Sequence, residues 1–362
     1  MKSKSVPKYM QLKKELQQLI QSSTIKPDEQ LPTEFAIAEQ FQCSRQTVRQ
    51  AIGLLENEGL VYRIQGKGTF VARQKYNSAI DHRTVGMMTT YITDYIFPHI
   101  VRGAEAELRE RSYQLLLAST DNNKQKEQES LSLFLQKQLS GLIIEPTKSA
   151  QTNLNLSAYL TLNQLDIPVV MINAHYPELP FPYVAVNDQL GSTMATDHLI
   201  ELGHSKIVGI FKHDDLQGIE RLKGFIGAHQ SRHSPLLPQY VITYETDEIQ
   251  HAIEMVQSLL RSETAPTAIV CYNDDLAVQL IEAARQLHIT VPDQLSIVSF
   301  DDSSLATALQ LTTITHPKEE LGKKAAQLLL ELIDKKSQAA VQSYVFTPTL
   351  IIRGSTKPLQ HT

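Results

Sequence analysis

The sequence predicts an α/β protein in two parts, a small helix-rich head followed by a large body in which strands alternate with helices. Three observations support this prediction. The 362 residues are too many for one small hydrophobic core. Residues 1–75 carry 12 Lys and Arg against 7 Asp and Glu, although the whole chain has a net charge of −5. From residue 84 onward, short apolar runs alternate with longer helical patterns, which is typical of parallel sheets covered by helices.

Composition excludes several classes of protein. With 42% hydrophobic and 20% charged residues the chain is an ordinary globular protein. It has no apolar run near the roughly 18 residues of a membrane span, and the first residues lead into no apolar segment of a signal peptide. Cys43 and Cys271 are far apart, which favours a reducing, cytoplasmic location without a disulfide or a metal site.

The most informative stretch of the head is a predicted helix at residues 44–55. Arg45, Gln46 and Arg49 lie on one face near its N-terminal end, and Ser44 stands before the first turn as the expected N-cap. Guanidinium and amide donors in this position suit the base edges of a DNA major groove. The other face has apolar residues at spacings of three and four, which predicts burial: Val48, Ala51, Ile52 and Leu55.

The rest of the head surrounds this helix. A first helix begins after Pro7, and a second opens near Leu31 with Thr33 as N-cap. The residues expected to pack are Tyr9, Leu12, Leu16, Leu19 and Ile20 in the first helix and Phe35, Ala38 and Phe41 in the second. After Gly59, the expected C-cap, two short strands, 60–64 and 69–72, enclose a tight turn at residues 65–68. The order predicts a helix-turn-helix followed by a hairpin wing.

Four motifs in this order resemble the winged helix-turn-helix domain of the GntR family of bacterial regulators. They are Leu31-Pro32-Thr33-Glu34, Ser44-Arg45-Gln46-Thr47-Val48-Arg49, Glu58-Gly59-Leu60, and Gln65-Gly66-Lys67-Gly68-Thr69-Phe70-Val71. The resemblance implies that Arg45 and Arg49 contact bases and phosphates and that the glycine wing tip enters the minor groove. The full set of expected DNA contacts is Lys8, Ser44, Arg45, Gln46, Thr47, Arg49, Gln65, Gly66, Lys67 and Gly68. On charge alone, a solvated basic face is the alternative.

Residues 1–73 are therefore expected to form the DNA-binding domain, residues 74–83 a polar linker, and residues 84–362 the effector-binding and dimerisation domain. The strands expected in the body are 85–88, 114–118, 142–144, 169–172, 184–186, 207–211, 269–272 and 297–300. Helical patterns between them include 98–111, 189–202, 220–229, 249–260 and 275–287. The size of the body favours two lobes, each a doubly wound parallel sheet.

Motifs along the body resemble the effector domains of the LacI/GalR repressors and the periplasmic sugar-binding proteins. Among them are Gly141-Leu142-Ile143-Ile144, Val186-Asn187-Asp188, Arg221-Leu222-Lys223-Gly224-Phe225, Tyr272-Asn273-Asp274, and Ser299-Phe300-Asp301-Asp302. The resemblance implies two α/β lobes joined by three crossovers, with a monosaccharide in the cleft between them.

Polar side chains at the ends of the predicted strands suit such a ligand, because ligands of open α/β sheets bind beyond the carboxyl ends of the strands. The hydroxyls of a sugar both donate and accept hydrogen bonds, so a buried sugar needs polar protein groups as hydrogen-bond partners. The strand-end set is Thr89, Thr90, Glu145, Asn173, Asn273 and Asp301. Because the sequence contains no Trp, Tyr95 and Phe97 are the residues expected to stack on the sugar.

The family resemblance implies that Arg221, Asn273 and Asp301 hold ligand hydroxyls, and it places Asn173 where relatives have Asp. Glu145 and His175 are added from strand-end position, with a surface role as the alternative for His175. For Asp301 the alternative is a helix cap with the following residues. The expected effector site is Thr90, Tyr95, Phe97, Glu145, Asn173, His175, Arg221, Asn273 and Asp301.

An enzyme is not expected, and no catalytic residue, metal site or cofactor is assigned. The sequence contains no Gly-x-Ser-x-Gly, His-Glu-x-x-His or Gly-x-Gly-x-x-Gly motif. Residues 66–69 resemble part of a phosphate-binding loop, but the required preceding Gly is missing and a strand follows. His229 and His233 have a metal-like spacing without a third ligand nearby.

Together the two halves predict a sugar-responsive repressor that binds a palindromic operator as a homodimer and has no membrane partner. Their combination resembles the arabinose repressors of Gram-positive bacteria, which implies L-arabinose as the effector. Another pentose or hexose is the alternative, and a sugar-binding transport component is a more remote one.

Overall fold

The computed structural model describes residues 8–21, 25, 29–57, 60–64, 67–72, 83–335 and 342–359. The chain divides into two units, Met1–Asp81 and His82–Thr362, which have separate hydrophobic cores. Apart from Arg83, the predicted linker at 74–83 lies outside the described residues. Within these ranges, no helix is long and apolar enough to cross a membrane.

In its described residues the head contains three helices and an antiparallel hairpin, as the sequence predicts. The elements are α1 (Lys8–Gln21), α2 (Glu34–Gln40), α3 (Arg45–Asn57), β1 (Val61–Ile64) and β2 (Gly68–Val71). The four predicted core residues of α3 are at most 1% exposed. The segment before α2 joins β2, because Leu31 donates its backbone N–H to Thr69 and Val71 donates to Glu29.

Both predicted N-caps of the head are confirmed. Thr33 Oγ1 accepts from the backbone N–H of Ala36, and Ser44 Oγ accepts from that of Thr47, each at 3.2 Å. The prediction for Phe35 is wrong, since Phe35 is 65% exposed while Ile37 is 1% exposed. Helix α2 has only seven residues, and its buried side is centred on Ile37 rather than on the first turn. Gly59 lies outside the described residues.

The N-terminal lobe of the body is a parallel six-stranded sheet in the order β13-β7-β6-β5-β3-β4. Its strands are β3 (Thr84–Thr89), β4 (Gln114–Ser119), β5 (Gly141–Ile144), β6 (Val169–Ile172), β7 (Tyr183–Val186) and β13 (Tyr344–Phe346). Its helices are α4 (Phe97–Glu110), α5 (Lys124–Gln136), α6 (Leu156–Gln164) and α12 (Lys318–Lys335).

The C-terminal lobe has a second six-stranded sheet in the order β14-β12-β11-β10-β8-β9, parallel except for β14. Its strands are β8 (Ile207–Lys212), β9 (Val241–Tyr244), β10 (Ala268–Cys271), β11 (Ser296–Asp301), β12 (Thr312–Thr315) and β14 (Leu350–Ile351). Its helices are α7 (Asp188–Glu201), α8 (Leu216–Ser231), α9 (Ile249–Leu260), α10 (Asp274–Gln286) and α11 (Ser304–Ala308).

Within the described residues the chain passes between the lobes three times, after β7, after β12 and after β13. This confirms the crossovers implied by the family resemblance. The second crossover returns α12 to the N-terminal lobe, where it packs closely on α4. A Cβ on Gly322 would lie 1.9 Å from the carbonyl oxygen of Ile100, so only glycine permits this approach of the two helices.

Candidate DNA-binding surface and effector cavity

The predicted DNA-reading face of α3 is open to solvent. Ser44, Arg45, Gln46 and Arg49 are exposed, and Thr47 is half-buried. Lys8, at the start of α1, is also exposed.

Arg49 has a partner within the head. Its Nε donates to Oε2 of Glu34 on α2 at 2.8 Å. An exposed ion pair of this kind contributes at most about 1 kcal/mol, so a DNA phosphate would compete for this guanidinium at little cost.

The wing is supported from the segment before α2. Gln30 Nε2 donates to the carbonyl oxygen of Lys67 at 2.6 Å. Gly68 has φ +122°, a conformation that favours glycine. Lys67 and Gly68 are exposed, whereas Gln65 and Gly66 lie outside the described residues.

A cavity of about 530 Å³ lies between the two lobes of the body. Eight of the nine predicted effector residues line it: Thr90, Tyr95, Phe97, Glu145, Asn173, Arg221, Asn273 and Asp301. His175 is not among the lining residues of this cavity. It stacks on Tyr183 at 4.0 Å between ring centroids and faces a second, smaller cavity of about 250 Å³.

Glu145, just beyond the end of β5, is buried and held by three donors. Oε2 accepts from the backbone N–H and the hydroxyl of Thr90 at 2.8 and 2.6 Å, and Oε1 accepts from Asn173 Nδ2 at 2.9 Å. Burial raises the pKa of Glu145 to about 7, against the opposing effect of these hydrogen bonds. Asn173 in turn adopts φ 62°, so backbone strain accompanies its place at the cavity wall.

Asp301 is paired with groups from both lobes. Its Oδ2 accepts from the phenol of Tyr95 at 2.6 Å, and its Oδ1 lies 3.9 Å from Nη2 of Arg221. Burial raises the pKa of Asp301 to about 6, while the neighbouring guanidinium lowers it. The cap of α11 is Ser303, whose Oγ accepts from the N–H of Ala306, so the helix-cap alternative for Asp301 is wrong.

The buried Arg221 is oriented by fixed partners. Its Nε donates to Oδ1 of Asp188 at 2.8 Å, and its guanidinium lies 4.3 Å from the centroid of the Phe300 ring. Asn273 caps α10 by accepting from the N–H of Leu276 at 3.0 Å, which leaves its Nδ2 donor for other partners. Donors and acceptors thus converge on one cavity, as recognition of a polyol requires.

Several residues that line the cavity are outside the set predicted from the sequence, among them His316, which follows β12. Burial lowers the pKa of His316 to about 3, so the ring is neutral near pH 7. Its Nε2 lies 3.2 Å from Asn173 Oδ1, an acceptor, which assigns the proton to Nε2. Nδ1 is then an acceptor without a hydrogen-bond partner among the described residues. Other lining residues outside the predicted set include Tyr91, Lys148, Lys212, Asp215, Tyr244 and Tyr272.

No described group of three His, Cys, Asp or Glu side chains could hold a metal ion.

A winged helix-turn-helix and a two-lobed body with a polar cavity define the class of ligand-responsive transcription regulators. Two family models match parts of the chain, one within the head and one within the body. Residues 8–71 match the gntR family of bacterial regulatory proteins, and residues 196–356 match the periplasmic binding protein-like domain.

Similar proteins narrow the class further. The chain is 53% identical to the arabinose metabolism transcriptional repressor of Geobacillus stearothermophilus, over 99% of this chain and 100% of that protein. It is 42% identical to the protein of the same name from Halalkalibacterium halodurans, over 96% of each. The chain belongs to the family of arabinose metabolism transcriptional repressors, which are regulators rather than enzymes.

Solved structures match the body. The transcription regulator CcpA of Lactococcus lactis is 26% identical with a TM-score of 0.67, covering 76% of this chain and 99% of that one. A LacI family regulator from Enterococcus faecium with bound ribose is 25% identical with a TM-score of 0.66, covering 76% of this chain and 100% of that one.

Proposed function

We propose that this protein represses transcription by binding operator DNA through its head and leaves the operator when L-arabinose binds in the cavity between its lobes. The observation that carries the proposal is the likeness to two arabinose metabolism repressors along essentially the whole chain. The polar cavity supports it, because an effector bound there would contact both lobes at once.

The cavity groups suit an uncharged sugar. The carboxylates of Glu145 and Asp301 are acceptors for sugar hydroxyls, and Arg221 and Asn273 supply donors. An unpaired buried polar group costs about 1–3 kcal/mol, so a sugar with one hydroxyl in the wrong orientation is rejected measurably. A ligand that contacts both lobes favours one relative arrangement of them, and this preference is the source of the coupling to DNA binding.

On the DNA side, Arg45 and Gln46 are proposed to read base edges from α3, and Lys67 and Gly68 to bring the wing to the minor groove. Arg49, Thr47, Ser44 and Lys8 are proposed as accompanying contacts. A homodimer, paired through its bodies, would place two heads on the half-sites of a palindromic operator in the cytoplasm.

The proposal is tested by calorimetry of the full chain with L-arabinose, D-ribose, D-xylose and D-galactose, together with gel shifts on the DNA upstream of arabinose-use genes. We expect L-arabinose to bind most tightly and to be the one sugar that releases the DNA. If D-ribose instead binds most tightly and releases the DNA, the effector is a different pentose. D-ribose is included because a solved structure similar to the body contains bound ribose. Binding of sugar without any binding of DNA would overturn the proposal that this protein is a repressor.

A further inference from the structure

A set of contacts joins the two lobes without involving any residue of the three crossovers. Asn122, in the N-terminal lobe, donates from Nδ2 to the hydroxyl of Thr246 at 3.0 Å. The backbone N–H of Leu216 donates to the hydroxyl of Ser149 at 2.8 Å. We call this set the rim clamp; it consists of Asn122 and residues 148–151 from one lobe and residues 214–216 and 245–247 from the other.

Lys148 is the centre of the rim clamp. Its Nζ lies 3.9 Å from Asp214 and 3.7 Å from each of Glu245 and Asp247, all three carboxylates belonging to the opposite lobe. The Lys148 side chain is only 17% exposed and Asp214 is fully buried, but Glu245 and Asp247 are 41% and 86% exposed, so dissolved salt can screen these two contacts. Its backbone has φ 40°, and its N–H donates to Asn122 Oδ1 at 3.1 Å, so the loop itself is held in place.

The buried carboxylate of Asp214 needs a nearby cation, and Lys148 provides it. Its side chain is fully buried, its Oδ2 accepts from the N–H of Thr246 at 3.0 Å, and its Oδ1 has no hydrogen-bond partner among the described residues. In the described part of the chain, Lys148 is the ion-pair partner of this carboxylate. A buried carboxylate without a cation is strongly unfavourable, and separating the lobes would return Asp214 to water.

We propose that Lys148 is a positioning residue that holds the two lobes together over the effector cavity and thereby sets the affinity and the dissociation rate of the sugar. The inference rests on the proposed function, in which a neutral sugar binds in this cavity. The sugar-binding arrangement is populated in proportion to the stability of the interlobe contacts, and the apparent affinity follows that population.

The test exploits the neutrality of L-arabinose, because salt can act on its binding only through charges of the protein. For the full wild-type chain we expect the Kd to rise between about 50 mM and about 500 mM NaCl as the clamp is screened. For Lys148→Met we expect a Kd about fivefold higher at low salt, faster dissociation and little remaining salt dependence.

Lys126→Met is the matched control. The substitution removes the same charge from the same lobe, but Lys126 pairs with Asp121 of its own lobe and not with the opposite lobe. This variant should keep the wild-type Kd and salt dependence. If Lys126→Met changes both as much as Lys148→Met does, general charge is responsible and the clamp is refuted.

Lys148 also lines the cavity, so a direct contact with sugar must be separated from clamping. The double variant Glu245→Gln/Asp247→Asn removes two partners of Lys148 that do not themselves line the cavity. We expect it to weaken sugar binding and reduce the salt dependence in the same direction as Lys148→Met. Wild-type binding in this double variant, beside weak binding in Lys148→Met, would assign Lys148 to the sugar and overturn the proposal.

Hydrogen exchange separates failure of the clamp from failure of the proposed function. The Leu216 amide is bonded across the lobes, so Lys148→Met should speed exchange in peptides spanning 214–216, measured without sugar. If none of the four sugars binds the wild type, the proposed function fails, while faster exchange in the variant still supports the clamp. Equal exchange in wild type and variant overturns it.

Discussion

The phenol of Tyr95 donates a 2.6 Å hydrogen bond to Asp301, and this bond crosses from the N-terminal to the C-terminal lobe through the wall of the cavity. Asp301 thereby has a donor from the opposite lobe in addition to the guanidinium of Arg221. A sugar hydroxyl that bonds to the same carboxylate joins an existing link between the lobes.

Tyr95→Phe tests this link through the pH dependence of sugar binding. The phenol lowers the pKa of Asp301 below the value that burial alone would give, so its removal should raise that pKa above about 6. Protonated Asp301 accepts fewer hydroxyl hydrogen bonds. The pH below which L-arabinose binding weakens should therefore move upward, as measured by calorimetry from about pH 5 to about pH 8. An unchanged profile would show that Tyr95 does not act on Asp301.

Glu145→Gln should change the pH dependence of stability. The pKa of Glu145 is about 7 in the fold and about 4.3 in an unfolded chain, so the fold binds the proton more tightly. The stability due to protonated Glu145 is fully present below about pH 4 and is lost as the pH rises through about 7. Between about pH 5 and about pH 8 the variant should gain about 2–3 kcal/mol relative to wild type in denaturant unfolding. A constant difference would contradict the raised pKa.

Arg45→Ala should abolish most operator binding and leave sugar binding intact. Arg45 is exposed on α3, and loss of a bidentate base contact costs about 1–3 kcal/mol, which raises the Kd by about 5- to 150-fold. Gel shifts and calorimetry on one preparation measure both properties. Arg285→Ala is the control. It removes the same charge from an exposed face of the body, where Arg285 pairs with Glu282. Unchanged operator affinity in Arg45→Ala would refute the reading role.

Gly68→Ala should weaken operator binding through the wing. At φ +122° an alanine is strained by about 1–3 kcal/mol, and its Cβ would lie 2.4 Å from Gln30 Nε2. Gly53→Ala is the same change in α3, where nothing lies within 4 Å, and it should stabilise the head by about 1 kcal/mol. Thermal unfolding and gel shifts compare the pair. Equal stability of the two variants would show that the turn does not require glycine.

Gly322→Ala should destabilise the body by about 3 kcal/mol, the upper end of the usual cost of overpacking, because its Cβ would meet backbone atoms of α4, which cannot rotate away as a side chain can. Gly227→Ala in α8, with nothing within 4 Å, should instead be neutral or stabilising. Denaturant unfolding of both variants provides the measurement. Wild-type stability of Gly322→Ala would mean that α4 and α12 separate at little cost.

The strands that the sequence revealed are those whose residues are apolar on both faces. All eight predicted strands of the body are present, with bounds shifted by at most one residue. β5 and β6, for example, are buried along their whole length. Strands β9, β12, β13 and β14 were not predicted. β9 is an edge strand with an exposed Thr243, β12 is Thr-rich, β13 is a partly exposed edge strand, and β14 has two residues. None of the four therefore has the continuous apolar signal of a central strand.

The same reasons govern the candidate site. Glu145, Asn273 and Asp301 could be predicted because each follows or ends a strand that was recognised. His316 could not, since it follows β12, which was missed. Lys148 has no local pattern at all: its role depends on three carboxylates that are about 66 to 99 residues away in the sequence and meet it only in the folded body.

The second crossover has a consequence for how the protein is made. Leu321, Ala325 and Leu329 of α12 complete the core of the N-terminal lobe, and β13 completes its sheet. A ribosome that has released residues 83–186 has therefore synthesised a lobe that still lacks one helix and one strand. That lobe closes only after most of the C-terminal lobe has emerged, although its first strand is the first part of the body to be made.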